Sequence, residues 1–324
     1  MTGKPLPAAL AEGLRRAFRG RLKEGAPMAA HTSARIGGPA DFLLVARGPG
    51  ELEEIAQTLW RLEAPFRLLG GGSNVLVADA GIRGVVVLNQ ARRVHFEAGE
   101  RGPIVWAESG ASLGTTARRA VDKGFTGLEW AATIPGTIGG AVVGNAGAHG
   151  GDTAGCLEVA EILQRNGRVE SWPAGRLEFG YRTSWLKRHP GEAVVLGASF
   201  RLERSTAAAT KAKAAEHVAQ RKSTQPAGAS MGSMFKNPAG DYAARLIEAA
   251  GLKGTQEGQA EISAKHANFF VNRGGARAAD VGALIERARA AVKEKFGVEL
   301  ELEVELIGDW EGQGLARPGV GGAD

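Results

Sequence analysis

The stretch T-I-P-G-T-I-G-G-A-V-V-G-N-A-G-A-H, residues 133–149, decides how the fold is read. Glycine stands at 136, 139, 140, 144 and 147, among small or β-branched neighbours. Such a run buries little side-chain area, and glycine is unfavourable inside helices and strands. It suits places where the backbone must come close to something. Either N–H groups lie against a phosphate or flat cofactor, or the turns are simply tightly packed. A second stretch, Gly70-Gly71-Gly72-Ser73-Asn74, separates the apolar runs 66–69 and 75–77 and reads as strand, turn, strand. Neither glycine stretch is expected to open a helix, which argues against dinucleotide-fold and P-loop fingerprints. Two such turns between strands suggest a large ligand held by loops.

Outward from these stretches, the pattern predicts helices over 8–18, 51–62 and 113–123, the last ending at Gly124. Strands are expected over 41–45, 84–88, 104–107, 159–163, 168–172 and 193–202. Residues 205–225 form an alanine-rich connecting helix, and a domain boundary is placed near it. Beyond it come a helix over 241–250 capped by Asp241, a strand over 268–272 and a helix over 280–296. Residues 299–307 alternate strictly, predicting one strand with four glutamates on its solvent face. Strands dominate the middle of the chain, so an α+β class fits better than βαβ alternation.

The chain has 324 residues, a net charge of +5 and a pI of about 9.5. Its basic residues are dispersed, which suits anionic small substrates and not a nucleic-acid groove. Cys156 is the single cysteine, and no Cys/His spacing suggests a metal site. No run approaches the ~20 apolar residues of a membrane span, and the first residues do not read as a signal peptide. A soluble cytoplasmic protein without membrane insertion is therefore expected.

Some residues carry potential chemistry. Residues 230–238 bring Ser233, Lys236 and Asn237 together, as a ligand clamp or as an ordinary turn. Tyr181 and Arg182 follow a glycine and either line a cleft or lie on the surface. His266 precedes a strand, where a lone histidine is more often structural than functional. Periodicity singles out none of the four glutamates.

The chain resembles the UDP-N-acetylenolpyruvoylglucosamine reductase family. The resemblance runs from about His31 to Gly308. It rests on T-S-A-R-I-G-G-P-A-D at 32–41, G-G-G-S-N-V-L-V at 70–77, L-E-W-A-A-T-I-P-G-T-I-G-G-A-V at 128–142 and N-A-G-A at 145–148. It continues through F-G-Y-R-T-S at 179–184, G-S-M-F-K-N-P at 232–238, K-H-A-N-F at 265–269 and L-E-L-E-V-E-L-I-G at 300–308. The resemblance implies an FAD-binding region of vanillyl-alcohol-oxidase-like type in two subdomains, followed by a C-terminal α+β substrate-binding domain. The corresponding division is 1–26 as an extension, 27–204 for FAD, 205–310 for substrate and 311–324 as a flexible tail. It further implies FAD held by Arg35, Gly70, Gly71, Gly72, Ser73, Asn74, Ile134, Pro135, Gly136, Thr137, Gly139 and Gly140. NADPH would donate hydride, and UDP-N-acetylglucosamine enolpyruvate would accept it. Arg182 and Glu303 resemble an enolate-stabilising pair and Ser233 a proton donor. Tyr181, Lys236, Asn237, His266 and Asn268 resemble substrate ligands. The chain is similar to the shorter, second type of the family. It departs from the usual pattern at Thr133, His149 and Leu302, where glycine, tyrosine and proline are common. The alternative is another FAD-dependent oxidase or dehydrogenase of the same fold acting on an alcohol.

Overall fold

The structure is a computed structural model that describes residues 6–99 and 102–310. Its first part is a four-stranded sheet in the order Lys23–Pro27, Pro39–Ala46, Ile82–Asn89, Phe66–Leu69. The first pair is antiparallel and the other two are parallel. Helix Pro49–Arg61 starts with proline in its first turn and buries Leu52, Ile55, Ala56 and Leu59 on one face. Helix Ala8–Ala17 joins the same core through Leu14, 0% exposed, and the following Phe18, 1% exposed. Residues 6–26 of the segment set apart as an extension thus pack into this part, and the strand Lys23–Pro27 crosses position 26. The segment 311–324, read as a tail, lies outside the described residues.

The second part is an antiparallel five-stranded sheet in the order Val169–Pro173, Leu157–Gln164, Ala193–Arg201, Gly102–Glu108, Val94–Gly99. Its edge strand Val94–Gly99 escapes the sequence reading because none of its residues is buried and it mixes polar with apolar residues. Helix Leu113–Asp122 is capped by Ser112. The helix Ala207–Thr224 lies against it, with Thr210 Oγ1 donating to Val121 O at 2.8 Å.

One expectation fails here. The stretch 133–149 does contain a helix, Ile138–Gly144. Thr137 Oγ1 accepts from Gly140 N at 3.4 Å, and Ile138, Ala141 and Val142 are buried. Burial of such side chains, about 1.5–3 kcal/mol for each larger one, outweighs roughly 1 kcal/mol per helical glycine. Gly139 is required for contact: its N–H donates to Ser109 O at 2.7 Å, and a Cβ there would lie 3.1 Å from that oxygen. The helix ends on Asn145 in the left-handed region, φ 45°.

The third part is an antiparallel sheet ordered Ala229–Ser233, Phe269–Asn272, Ala260–Ile262, Gln256–Glu257, covered by helices Ala243–Ala249 and Ala278–Phe296. Its core, with Met231, Met234, Phe235, Phe270, Leu284 and Ile285, also takes in Ala34, Ile36 and Leu76 from the beginning of the chain. Two expectations are corrected. The segment 299–307 is not one strand: only Glu305–Ile307 is, pairing in parallel with Val75–Val77, while Leu302 forms an isolated bridge to Phe235. Backbone pairing to different partners breaks the alternation. Asp241 does not cap the next helix: its carboxylate pairs with Arg245, and Asn237 Oδ1 takes the Ala243 N–H at 3.1 Å.

Candidate active site

The two glycine stretches meet. A side chain on Gly70 would collide with Thr137 Oγ1, and one on Gly71 would lie 3.3 Å from Gly136 Cα. Gly72 sits at φ 58° against the His31 carbonyl oxygen, where a Cβ would clash. Its own carbonyl accepts from Ser33 N at 3.0 Å. The N–H groups of Gly71, Gly72, Ser73, Gly136 and Thr137 form no hydrogen bond among the described residues. Thr133 Oγ1, nearby in sequence, is buried without a partner. Free N–H groups on side-chain-less backbone make a concavity suited to a diphosphate, so these residues fit FAD. Arg35 is exposed beside this region at φ 56°, and Ile134 and Pro135 continue the same loop.

Beside the Gly70–Asn74 turn stands a charged wall, joined to it by Asn74. Arg182 Nε donates to Glu303 Oε1 at 2.8 Å, and the Glu303 side chain is 16% exposed. Burial pushes the Glu303 carboxyl above the usual carboxylate range, with Arg182 pulling it back. Glu303 is placed by its backbone: its N–H donates to Met234 O at 2.9 Å, and its carbonyl accepts from Asn74 Nδ2 at 3.0 Å. Ser233, next to Met234, ends the strand Ala229–Ser233 and pairs with Phe269. Sequence positions 74, 182, 233 and 303 therefore converge.

Other sequence-derived candidates take varied places. Lys236 pairs with Glu301 through its ammonium, and its N–H donates to Glu301 O at 2.8 Å. Asn237 is exposed at the start of helix Ala243–Ala249. Tyr181 is 55% exposed, with the Arg182 guanidinium 5.2 Å from its ring centre. His266 stands edge-on to Phe269, its Nδ1 accepts from Asn268 N at 3.3 Å, and burial lowers its pKa. Asn268 is 3% exposed, and both ends of its amide hold Phe235, at 2.9 Å to N and 2.8 Å to O. Its side chain thus braces the Ser233 loop and does not open into the cleft. Two contributors escaped the sequence reading. Asn145 Nδ2 donates to Gly180 O at 3.0 Å, and Lys187 Nζ donates to Arg182 O at 3.0 Å. An asparagine closing a glycine-rich helix is a readable signal, whereas Lys187 offers none.

His149 is at φ 53° and stacks on His217, ring centres 4.2 Å apart, against the connecting helix. Cys156 is buried, and burial pushes its thiol up to about 12. Among the described residues no helix is long and apolar enough to cross a membrane.

A backbone cradle for a flavin dinucleotide beside a largely buried cation–carboxylate pair fits an FAD-containing oxidoreductase. Residues 40–171 match the family model described as "FAD binding domain". Residues 224–307 match that described as "UDP-N-acetylenolpyruvoylglucosamine reductase, C-terminal domain". A relative of that name from Chloroflexus aggregans is 47% identical over 290 residues, covering 88% of this chain and 97% of its own. A second, from Symbiobacterium thermophilum, is 41% identical over 304 residues, covering 92% and 97%. The crystal structure of the corresponding reductase from Thermus caldophilus superposes with a TM-score of 0.75 at 36% identity, covering 89% of this chain and 99% of that one. The chain belongs to the UDP-N-acetylenolpyruvoylglucosamine reductase family, an α+β flavoprotein family using FAD and NADPH. The alcohol-oxidising alternative is not favoured, because the C-terminal match belongs to the reductases.

Proposed function

We propose that the protein uses NADPH to reduce UDP-N-acetylglucosamine enolpyruvate to UDP-N-acetylmuramate, a step of peptidoglycan synthesis. The carrying observation is the Arg182–Glu303 pair set beside the Ser233 strand end and tied to the Gly70–Asn74 turn through Asn74. FAD, which the N–H groups of Gly71, Gly72, Ser73, Gly136 and Thr137 would hold, would supply the two-electron chemistry that links NADPH to the substrate.

The chain's own residues act on the acceptor. Hydride adds to the terminal carbon of the enol ether, and the π electrons move into the conjugated carboxylate. The guanidinium of Arg182 stabilises that enolate, and Glu303 fixes the guanidinium and balances its charge. The Ser233 hydroxyl gives its proton to the adjacent carbon, and solvent reprotonates the serine. A weak acid suffices because the carbanion-like centre is a strong base. Lys236 and Asn237 hold anionic and polar parts of the nucleotide, and Tyr181 and His266 flank it. Residues 27–204 serve the cofactor and 205–310 the substrate. Cytoplasmic location, and through the cell wall a bearing on cell shape and division, belong to the same proposal.

The test is spectroscopic. FAD-loaded protein should bleach with NADPH in the absence of oxygen and regain colour with the enolpyruvyl nucleotide. Ser233→Ala should keep the bleaching and slow the recovery by about 1,000-fold. A flavin that ignores NADPH would overturn the reductase reading. Equal loss of both half-reactions in Ser233→Ala would overturn the role of the serine.

A further inference from the structure

Arg182 occupies a conformation that its residue type disfavours. Gly180 N donates to Thr183 O at 3.1 Å and Thr183 N to Gly180 O at 3.2 Å, so Tyr181 and Arg182 form a two-residue hairpin tip. Arg182 sits at φ 58°, in the left-handed region. That region costs a side-chain-bearing residue about 1–2 kcal/mol and persists only where surrounding contacts impose it. One such contact comes from Asn145, through Gly180 O. The contact on the Arg182 backbone is Lys187 Nζ, donating to its carbonyl at 3.0 Å.

Lys187 is held as firmly as the residue it holds. It lies on the one-turn helix Trp185–Arg188, whose cap Ser184 is fully buried. Ser184 Oγ accepts from Lys187 N at 3.3 Å and donates to Val143 O at 2.7 Å. The helix is thereby tied to the glycine-rich helix Ile138–Gly144 that borders the cofactor cradle. The charges acting on the Lys187 ammonium are Glu305, Lys236, Glu303 and Glu301, with Arg182 joined through its carbonyl. Glu305 is itself engaged by Arg67 at 3.1 Å, and Lys236 by Glu301. Among these, Glu303 has a buried carboxyl, and the positive charge of Lys187 favours its ionised form. Burial holds the Lys187 ammonium below the ordinary lysine range, against the pull of Glu305.

We propose that Lys187 is a positioning residue of the reduction: it locks Arg182 in its left-handed turn so that the guanidinium meets Glu303, and it adds a second cation behind that pair. This rests on Arg182 and Glu303 being the enolate-stabilising pair. Lys187 touches the backbone of Arg182 and acts on the substrate only through it. A bare backbone hydrogen bond needs no charge, and a bare counter-charge needs no carbonyl contact. Lysine supplies both from one atom.

The experiment uses the full FAD-loaded chain and the enolpyruvyl nucleotide with NADPH. Lys187→Met should lower kcat by about 100-fold, the scale of a misplaced catalytic group, with a much smaller change in KM. The limb of the kcat–pH profile that belongs to Glu303 should move to higher pH, since a cation favouring the carboxylate is gone. Lys187→Arg should restore most of kcat and return the limb. Lys187→Gln, which can still donate to the carbonyl, should recover part of kcat and leave the limb displaced; it also replaces the methionine variant if that chain does not fold. Lys187→Met and Lys187→Gln that turn over like wild type overturn the proposal. So does a loss of kcat with an unmoved limb and no rescue by arginine, which would make Lys187 a purely structural residue. Glu303→Gln identifies the limb by abolishing it; a limb surviving there refutes the enolate-pair reading itself, an outcome separate from failure of the Lys187 variants.

Discussion

The loops around Gly70–Gly72 and Gly136–Thr137 meet backbone to backbone, whereas Arg182, Ser233 and Glu303 meet through side chains and strand ends brought from distant segments. On the first wall the functional groups are N–H donors, which every residue but proline carries. What the sequence must supply there is the absence of side chains. On the second wall the functional groups are particular atoms, and the sequence must supply both those residues and the braces that aim them. A methyl group should therefore be ruinous on the first wall. On the second, loss of a brace should be graded in its effect.

The strongest test of that contrast is Gly72→Ala. A Cβ there meets the His31 carbonyl oxygen, and alanine at φ 58° adds about 1–2 kcal/mol of strain. The variant should purify without flavin, read as loss of the visible absorption bands. A Gly72→Ala protein with full flavin content would break the argument that the cradle is made by missing side chains.

On the second wall, Asn268→Ala removes both amide contacts to Phe235 and leaves that buried N–H and C=O unpaired. Unfolding free energy should fall by about 2–4 kcal/mol by denaturant titration, with flavin retained. If flavin is lost together with stability, the brace acts on both walls and its effect is not confined to the second.

Cys156 sharpens the comparison from the cofactor side. Burial, with Asp152 adding to it, raises its thiol from 9.0 to about 12. A group raised in the folded state contributes stability below its unfolded pKa. That contribution is lost as pH climbs through the window from about 9 to about 12. The native thiol should accordingly resist a disulfide reagent at pH 8 and react on unfolding, as followed by absorbance. Rapid reaction of the folded protein would contradict the burial.

The smallest effect marks the control. Gly13 lies inside helix Ala8–Ala17, and a methyl group added there would meet only Leu62 Cδ2, at 4.0 Å. Gly13→Ala should raise the thermal midpoint slightly, by the equivalent of about 0.5–1 kcal/mol, and leave flavin content unchanged. Glycines are then separable into those that make room for close approach and those that merely weaken a helix.

Much of the fold is legible along the chain because helix faces such as Leu52, Ile55, Ala56 and Leu59 announce their burial by spacing. The errors fall where a local rule met a long-range contact. Residues 138–144 read as too glycine-rich for a helix, yet burial of Ile138 and Val142 and the contact of Gly139 with Ser109 hold one there. Residues 299–307 read as a single strand. Their pairing changes from Phe235 to Val75–Val77 partway, and Glu303 turns inward between the two. Asp241 has the side chain of a cap, but the donor it would have satisfied is taken by Asn237.

The sequence by itself determined the α+β class, the pair of glycine stretches and, through its ordered motifs, the family with its FAD and NADPH. Those signals are local, because glycine content, periodicity and motif order survive in a linear string. Only the tertiary structure decided that Gly71 lies against Gly136, that Glu303 alone of its four glutamates is drawn in to Arg182, and that Lys187 holds Arg182 in a left-handed turn. Each of these depends on which atoms meet in space, across as many as 121 residues of chain in the case of Arg182 and Glu303. Periodicity carries no record of such meetings, since burial and charge pairing exist only once the segments have packed.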